Sequence, residues 1–164
     1  MPNSRLFLTI GFYVLWGASF AQSVETKASL DFQNGYWVLE IKAPNQLALQ
    51  TMEAAYPEKN VAEMEVTAFH ALYSNYLSHS FELRIDSVPI PMNLVGIELN
   101  SAKANGKFIS TRFAEPGAEI WVQIESFREI EPRTTFLTIR VNDKPIKATL
   151  NLENAYQVNV SLID

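Results

Sequence analysis

The stretch FELRIDSVPIPMNLVGIEL, residues 81–99, decides the fold of this chain. In its first arm three apolar residues alternate with charged ones, a period of two that is typical of a strand with one buried face. Asp86 and Ser87 follow, and their short polar side chains favour a tight turn. The stretch therefore predicts a β-hairpin that reverses at these two residues.

The second arm of this hairpin carries Pro89 and Pro91, which lack backbone N–H donors on the same side of the strand. We therefore expect this arm to lie at the edge of a sheet. The apolar phase of the arm then changes between Leu94 and Val95, just before Gly96. Such a change of phase predicts a β-bulge or a bend.

A similar pattern returns later in the chain. The segment LRIDSVPIPMNL, residues 83–94, aligns without gaps to IRVNDKPIKATL, residues 139–150. Both segments predict hairpins. The similarity has two explanations, convergence of two turns on the same chemistry or an internal duplication.

Composition excludes several classes of function. The chain has 164 residues, 48% of them hydrophobic, which fits one folded domain. A net charge of −5 gives no basic field for nucleic acid or an anionic membrane surface. The absence of cysteine excludes a thiol nucleophile, a Cys-ligated metal and a bacterial lipoprotein anchor.

The amino-terminal residues 1–21 are typical of a secretory signal peptide. Arg5 precedes an apolar run, and the small residues Ser19 and Ala21 stand where a signal peptidase needs them. An uncleaved anchor is the alternative, but the apolar run is shorter than the roughly 20 residues that span a bilayer. We expect cleavage after Ala21, no stable membrane insertion afterwards, and a protein in the periplasm or outside the cell.

The mature chain, residues 22–164, is predicted to be a single domain. Asn34 and Gly35 predict the turn of an amino-terminal hairpin. A helical insertion is expected at about 45–78, with a shorter helix at 46–55 and a longer one at 61–77.

The longer helix has a capping-box pattern, in which Asn60 is followed by Glu63. Its stripe of tyrosine and phenylalanine is interpreted as core packing. After the central hairpin, residues 101–106 are predicted to be a polar loop and residues 119–127 a strand.

About eight strands joined by short turns predict a mainly β fold. The expected architecture is a two-layer antiparallel β-sandwich, immunoglobulin-like or related, with the helical segment covering one side or end. An incomplete barrel is the alternative.

Several segments in this order resemble a known family, the small secreted bacterial proteins catalogued as domain of unknown function six-seven-zero-two. The matching pieces are Tyr76-Leu77, LRIDSVPI (83–90), LVGIE (94–98), IWVQIES (120–126) and IRVNDKPIKATLNLEN (139–154). The resemblance implies a secreted β-rich domain with two similar hairpins, and it brings no known activity.

The chain departs from that family at the start of the mature protein. Members commonly begin with a His-Pro pair, whereas this chain has Gln22-Ser23 after the predicted cleavage site. No metal role carries over. The two turns also differ from the Asn-Gly-Lys of the family.

A search for catalytic chemistry finds little that converges. His70 and His79 belong to no HExxH or comparable zinc pattern, and the chain has no Gly-x-Ser-x-Gly elbow or phosphate-binding loop. We therefore predict no catalytic, cofactor-binding or metal-ligating residue. Trp37 and Trp121 would form a carbohydrate platform if both pointed outward, and Trp121, out of phase with its apolar neighbours, is the candidate binding residue.

The leading hypothesis is an exported, non-catalytic module that binds a protein partner or assembles with one in the cell envelope. One alternative is a hydrolase or accessory enzyme that acts on envelope peptides or glycans, with His70 or His79 in its site. Another is a carrier of a small apolar ligand held between sheet and helix.

Overall fold

The computed structural model describes residues 24–142 and 144–162, so the predicted signal peptide lies outside the described residues. Ten strands and two α-helices lie within these ranges. The strands are β1 (Val24–Gln33), β2 (Tyr36–Pro44), β3 (Phe81–Ile85), β4 (Val88–Pro89), β5 (Met92–Leu99), β6 (Lys103–Ser110), β7 (Glu119–Ile124), β8 (Arg133–Val141), β9 (Lys144–Leu150) and β10 (Gln157–Ser161). The helices are α1 (Asn45–Ala55) and α2 (Val66–Ser78).

The strands form two sheets, which confirms the predicted mainly β sandwich with a helical insertion. One sheet has six strands in the order β5-β6-β2-β1-β8-β9, and the other has four in the order β10-β7-β3-β4. All strand pairs are antiparallel except that of β1 with β8, which run parallel. The first strand of the described chain is thus an interior strand of the larger sheet.

Two of the predicted hairpins are confirmed in full. β1 and β2 reverse at Asn34 and Gly35, both of which have positive φ angles. β8 and β9 pair from Val141 with Lys144 back to Thr135 with Leu150. Asn142 has φ of 51°, as a tight primed turn requires.

The central hairpin is confirmed at its turn but is shorter than predicted. Asp86 and Ser87 have positive φ angles, and only the two residues of β4 form ladder pairs with β3. The chain then crosses at Pro91 to the other sheet, where β5 pairs with β6. The Pro91 carbonyl oxygen accepts from the Thr111 N–H at 2.9 Å, so Pro91 is already bonded at the end of β6 in the larger sheet. The bulge is confirmed between Leu94 and Gly96.

The prolines do lie at sheet edges, as predicted. Pro89 is in β4, the outermost strand of the smaller sheet, and Pro91 precedes β5, the outermost strand of the larger one. These two edges belong to different sheets, so the two prolines do not lie along one continuous edge.

The helical insertion lies between β2 and β3 and packs against the inner face of the larger sheet. α1 matches the predicted shorter helix. The phenol of Tyr73 on α2 donates to the carbonyl oxygen of Ala104 at 3.0 Å. A Cβ on Gly106 would lie 2.6 Å from Leu77 Cδ1, so a glycine at this position of β6 lets the helix approach the sheet closely.

The predicted start of the longer helix is wrong. Residues Val61–Glu63 form a 3-10 turn, and α2 begins only at Val66. The Asn60 amide donates to the Glu63 carboxylate at 2.6 Å instead of capping the backbone, so the local pattern stabilises the 3-10 turn. None of the described helices is both long and apolar enough to span a bilayer.

The predicted polar loop at 101–106 is also largely wrong, because β6 begins at Lys103. Its residues alternate between buried and exposed, with small Ala104 and Gly106 facing the helices. Because these inward positions hold small residues, the sequence lacks the alternation of large apolar and polar residues that predicts a strand.

The core lies between the two layers and extends under the helices. It joins residues of both sheets, and Phe81 of the smaller sheet packs edge-on against Phe108 of the larger, with ring centroids 4.6 Å apart. Trp37 is 0% exposed, and its indole N–H donates to the Ala114 carbonyl oxygen at 2.9 Å. Trp37 therefore points inward, and a platform made by Trp37 and Trp121 is excluded.

Candidate binding surfaces

The two histidines do not converge on one site. His79 Nδ1 donates to the carbonyl oxygen of Asn75 at 2.8 Å, a contact within its own helix end. The Ser74 hydroxyl lies 3.5 Å from His70 Nδ1 but donates to the His70 carbonyl oxygen at 2.7 Å. Neither contact resembles the short hydrogen bond between a nucleophilic side chain and its general base. Among the described residues no group of three or more histidines and acids is placed to hold a metal ion.

His79 does line a cleft of about 410 Å³ beside the carboxyl end of α2. The Tyr76 phenol there donates to Glu129 Oε2 at 2.7 Å and accepts from the Phe127 N–H at 2.6 Å. Burial, aided by the Glu129 carboxylate, raises the pKa of Tyr76, so the phenol stays protonated. These contacts fix α2 against the segment after β7.

Arg133 is a buried cation between the two sheets. The side chain is 2% exposed, and its Nη1 donates to Thr135 Oγ1 at 2.9 Å while Nη2 donates to the Ile124 carbonyl oxygen at 3.4 Å. Its guanidinium carbon lies 4.1 Å from the centroid of the Tyr156 ring. Burial lowers the pKa of Arg133 to about 10. Arg133 therefore links β8 of the larger sheet to the end of β7 in the smaller one.

Trp121 lies on the outer face of the smaller sheet, as its phase in the sequence predicts. It is half-buried, and the Arg84 guanidinium carbon lies 4.8 Å from the centroid of its ring. Arg84 is its cross-strand neighbour on β3, and Asn159 is its neighbour on β10. Arg84 also pairs with Glu82 at 2.7 Å. The ring is thus already in contact with a cation of the same chain.

The outer face of the larger sheet carries most of the lysines. We call this surface the lysine face. It holds five of the seven lysines of the sequence and one arginine, with four carboxylates, so its net charge is +2. Since the whole chain has a net charge of −5, the other residues of the sequence sum to −7. The basic side chains are Lys27, Lys42, Lys103, Lys107, Arg140 and Lys147, and the acidic ones are Glu25, Asp31, Glu40 and Glu98.

A groove of about 710 Å³ crosses one half of the lysine face, over β1, β2, β6 and β5. Glu40 lies within it and pairs with Lys42 at 3.0 Å and with Lys107 at 3.4 Å. The hydrogen bond from Lys42 holds the pKa of Glu40 below its usual value. Gly96, at the bulge, has open space where a Cβ would stand, so no side chain fills this end of the groove.

A second depression, of about 410 Å³, lies on the other half of the lysine face. We call it the Phe136 hollow. Its charged lining residues are all basic, and Phe136 lies among them with 41% of its surface exposed. The lining residues are Lys27, Ala28, Ser29, Lys42, Phe136, Thr138, Arg140 and Lys147. Lys27 and Lys42, which are directly opposite each other on β1 and β2, line both the groove and the hollow.

An apolar depression between the helices and the end of β5 measures about 270 Å³ and is lined in part by Leu49, Met64 and Phe69. Its volume is below the roughly 300 to 1,000 Å³ of ordinary small-ligand sites. The apolar-ligand carrier stays a prediction, as does the hydrolase.

Sequence reasoning missed the lysine face because its five lysines come from four separate strands. Each lysine lies at an outward-facing position of its own strand, and the alternation within that single strand is enough to predict the position. Only the strand order, with β1 between β2 and β8, brings them onto one surface.

No protein-family model matches the chain, and no curated protein matches it. The resemblance to the secreted family described above stays a prediction.

Proposed function

We propose that this chain is an exported, non-catalytic binding module that recognises a protein partner in the cell envelope through its lysine face. The observation that carries the proposal is the segregation of charge. One sheet face has a net charge of +2 in a chain whose remaining residues sum to −7. Charge segregated in this way orients and accelerates the encounter with a complementary surface.

The arrangement of charges favours a protein partner over a uniformly anionic bilayer or polymer. Glu25, Glu40 and Glu98 line the groove among its lysines. A dense array of phosphates would meet these carboxylates and be repelled, whereas a folded partner can place a basic or neutral side chain opposite each. The groove also spans four strands, or about 14 Å at the usual strand spacing, which suits a protein segment.

Export is supported by the sequence of residues 1–21, with its basic start, apolar run and small residues at 19 and 21. The lack of cysteine agrees with a bacterial exported protein that relies on its core. The resemblance to a family of small secreted bacterial proteins supports the same location.

The test is site-specific photocrosslinking of the full chain in its source organism. A photoreactive residue replaces Ala102, an exposed residue that lines the groove. The matched control carries it at Ala68, which is exposed on α2. We expect one discrete protein adduct from position 102, none from 68, and loss of the adduct in Lys42→Glu/Lys107→Glu. Equal adducts from both positions, or none from 102, would contradict the proposal.

A further inference from the structure

We infer that the Phe136 hollow binds an acidic segment of the partner, in which an apolar side chain contacts Phe136 and two flanking carboxylates pair with Lys27 and Lys147. This inference rests on the proposed function, because it names the chemistry that the lysine face recognises.

The first observation is that the charged residues lining the hollow are all positively charged. Four cations line the hollow, and the residues that line it include no carboxylate. Two of the cations already have partners, since Lys42 pairs with Glu40 at 3.0 Å and Arg140 pairs with Asp31 at 2.8 Å. Among the described residues Lys27 and Lys147 form no ion pair. These two ammonium groups are therefore available to an incoming anion.

The second observation is the aromatic ring between these cations. Phe136 is on β8, an interior strand of the sheet, with Lys27 directly beside it on β1 and Thr149 on β9. Phe136 is 41% exposed at the middle of a charged sheet face, so part of its apolar surface is in contact with water. Aromatic residues, phenylalanine among them, are enriched at the cores of protein interfaces, inside a polar rim.

The register of the sheet sets the spacing of the ligand. Lys27 is in the row of Phe136, and Lys147 is opposite Thr138, two residues further along β8. The two lysines are thus separated by two strand spacings and one two-residue step, roughly 12 Å between Cα atoms. Two carboxylates at i and i+4 of an extended segment are about 13 Å apart, with the side chain of residue i+2 on the same face.

The occupant that fits is an extended peptide with the pattern acidic, any, apolar, any, acidic. A phospholipid surface has anionic charge but offers no apolar group at headgroup level to contact the ring. We therefore assign the hollow to a protein segment, and the experiment includes the lipid as a competing outcome.

The test is NMR titration of the ¹⁵N-labelled full chain with a synthetic peptide, acetyl-Glu-Thr-Leu-Thr-Glu-amide. We expect amide shifts confined to the strands around the hollow and a Kd of about 1 mM or tighter. A peptide with glutamine in place of both glutamates should bind at least about tenfold more weakly. Vesicles containing phosphatidylglycerol are tested in parallel.

Three variants locate the site. Lys27→Glu/Lys147→Glu and Phe136→Thr should each weaken peptide binding by at least about fivefold. The matched control Lys59→Glu/Lys144→Glu makes the same change of net charge away from the hollow and should bind like the parent chain. The NMR spectrum of each free variant shows that it remains folded.

No shift with the acidic peptide, equal binding of the glutamine peptide, or unchanged binding by Lys27→Glu/Lys147→Glu would overturn the inference. Vesicle binding that these variants abolish would overturn it in favour of a lipid. An adduct at position 102 that survives both hollow variants would overturn it and leave the proposed function standing. Peptide binding at the hollow without any adduct at 102 would support the inference and contradict the proposed envelope partner.

Discussion

Arg133 and Lys27 are basic residues on the adjacent, parallel strands β8 and β1, and they face opposite sides of the same sheet. Arg133 points between the layers, where a hydroxyl, a carbonyl and an aromatic ring surround it. Lys27 points to water beside Lys42, with no carboxylate in contact among the described residues. The difference shows how the face of a strand determines whether a cation links the layers or stays available to a partner.

The largest expected effect comes from removing the buried cation. Arg133→Ala should lower the free energy of unfolding by about 3 kcal/mol, because it leaves a cavity and removes the contacts with Ile124 and Tyr156. Urea unfolding followed by circular dichroism measures the change. An Ala variant within about 0.5 kcal/mol of the parent would contradict the role of Arg133 as a link between sheets.

The control for this variant keeps the volume and removes the charge. Arg133→Met should lower the free energy of unfolding by about 1 kcal/mol or less, because burying a cation is itself costly, as its lowered pKa shows. If Met and Ala cost the same, the stabilisation would come from the charged contacts and not from packing.

The second effect is a loss of stability at high pH. Burial raises the pKa of Tyr73 and of Tyr76 above the ordinary value of 10.0, so above pH 10 the folded state retains protons that the unfolded state has lost. Each tyrosine then lowers the free energy of unfolding by up to about 1.4 kcal/mol per pH unit. Arg133 acts in the opposite sense from pH about 10 upward, since its folded form binds fewer protons, but it is one group against two.

Tyr73→Phe isolates one of these groups. It should cost about 1 kcal/mol at neutral pH through the lost hydrogen bond to Ala104, and its stability should fall less steeply than that of the parent above pH 10. Equilibrium unfolding at several pH values gives both slopes. If the free energy of unfolding fell equally steeply with pH in both proteins, ionisation of Tyr73 would not be a cause of the loss of stability.

A smaller effect is expected for an exposed ion pair on the lysine face. Arg140 contacts Asp31 at 2.8 Å, with its own side chain 51% exposed. Arg140→Ala should therefore cost only about 0.5 kcal/mol, and the difference from the parent should shrink in high salt. A loss above about 2 kcal/mol would show that this exposed cation behaves like the buried one.

The smallest effect has the opposite sign. Lys27 and Lys42 are like charges directly opposite each other across β1 and β2, and Lys27→Glu converts this pair into an attractive one. The free energy of unfolding should rise by roughly 0.3 kcal/mol, whereas Lys59→Glu, on the segment between the helices, serves as the charge control. A clear destabilisation by Lys27→Glu would show that Lys27 supports the sheet.

The hairpins show what the sequence could predict. The turns at 34–35, 86–87 and 142 were all identified from short polar residues and glycine, and all have positive φ angles. Arg84 pairs with Pro89 and Arg140 pairs with Pro145, so the aligned segments even share a register. Turn and register are local properties, and a short segment contains the information for them.

Where the chain goes after a turn is not local. β9 continues beside β8 for seven residues, whereas β4 ends after two and β5 joins the other sheet. The start of α2 was misplaced for a different, local reason, because the Asn60 and Glu63 side chains bond to each other and not to the backbone. Trp121 was placed correctly by phase, but the stacked Arg84 comes from a neighbouring strand that the sequence could not identify.

The parallel pairing of β1 with β8 has a consequence for the order of events during synthesis. Thr26 and Thr135 bond through their hydroxyls at 2.7 Å across a separation of 109 residues. Because the chain is synthesised from its amino end, one side of β1 stays unpaired until β8 has been made. We expect slow, late completion of the larger sheet, and a nascent chain that needs shielding by a chaperone in the interval.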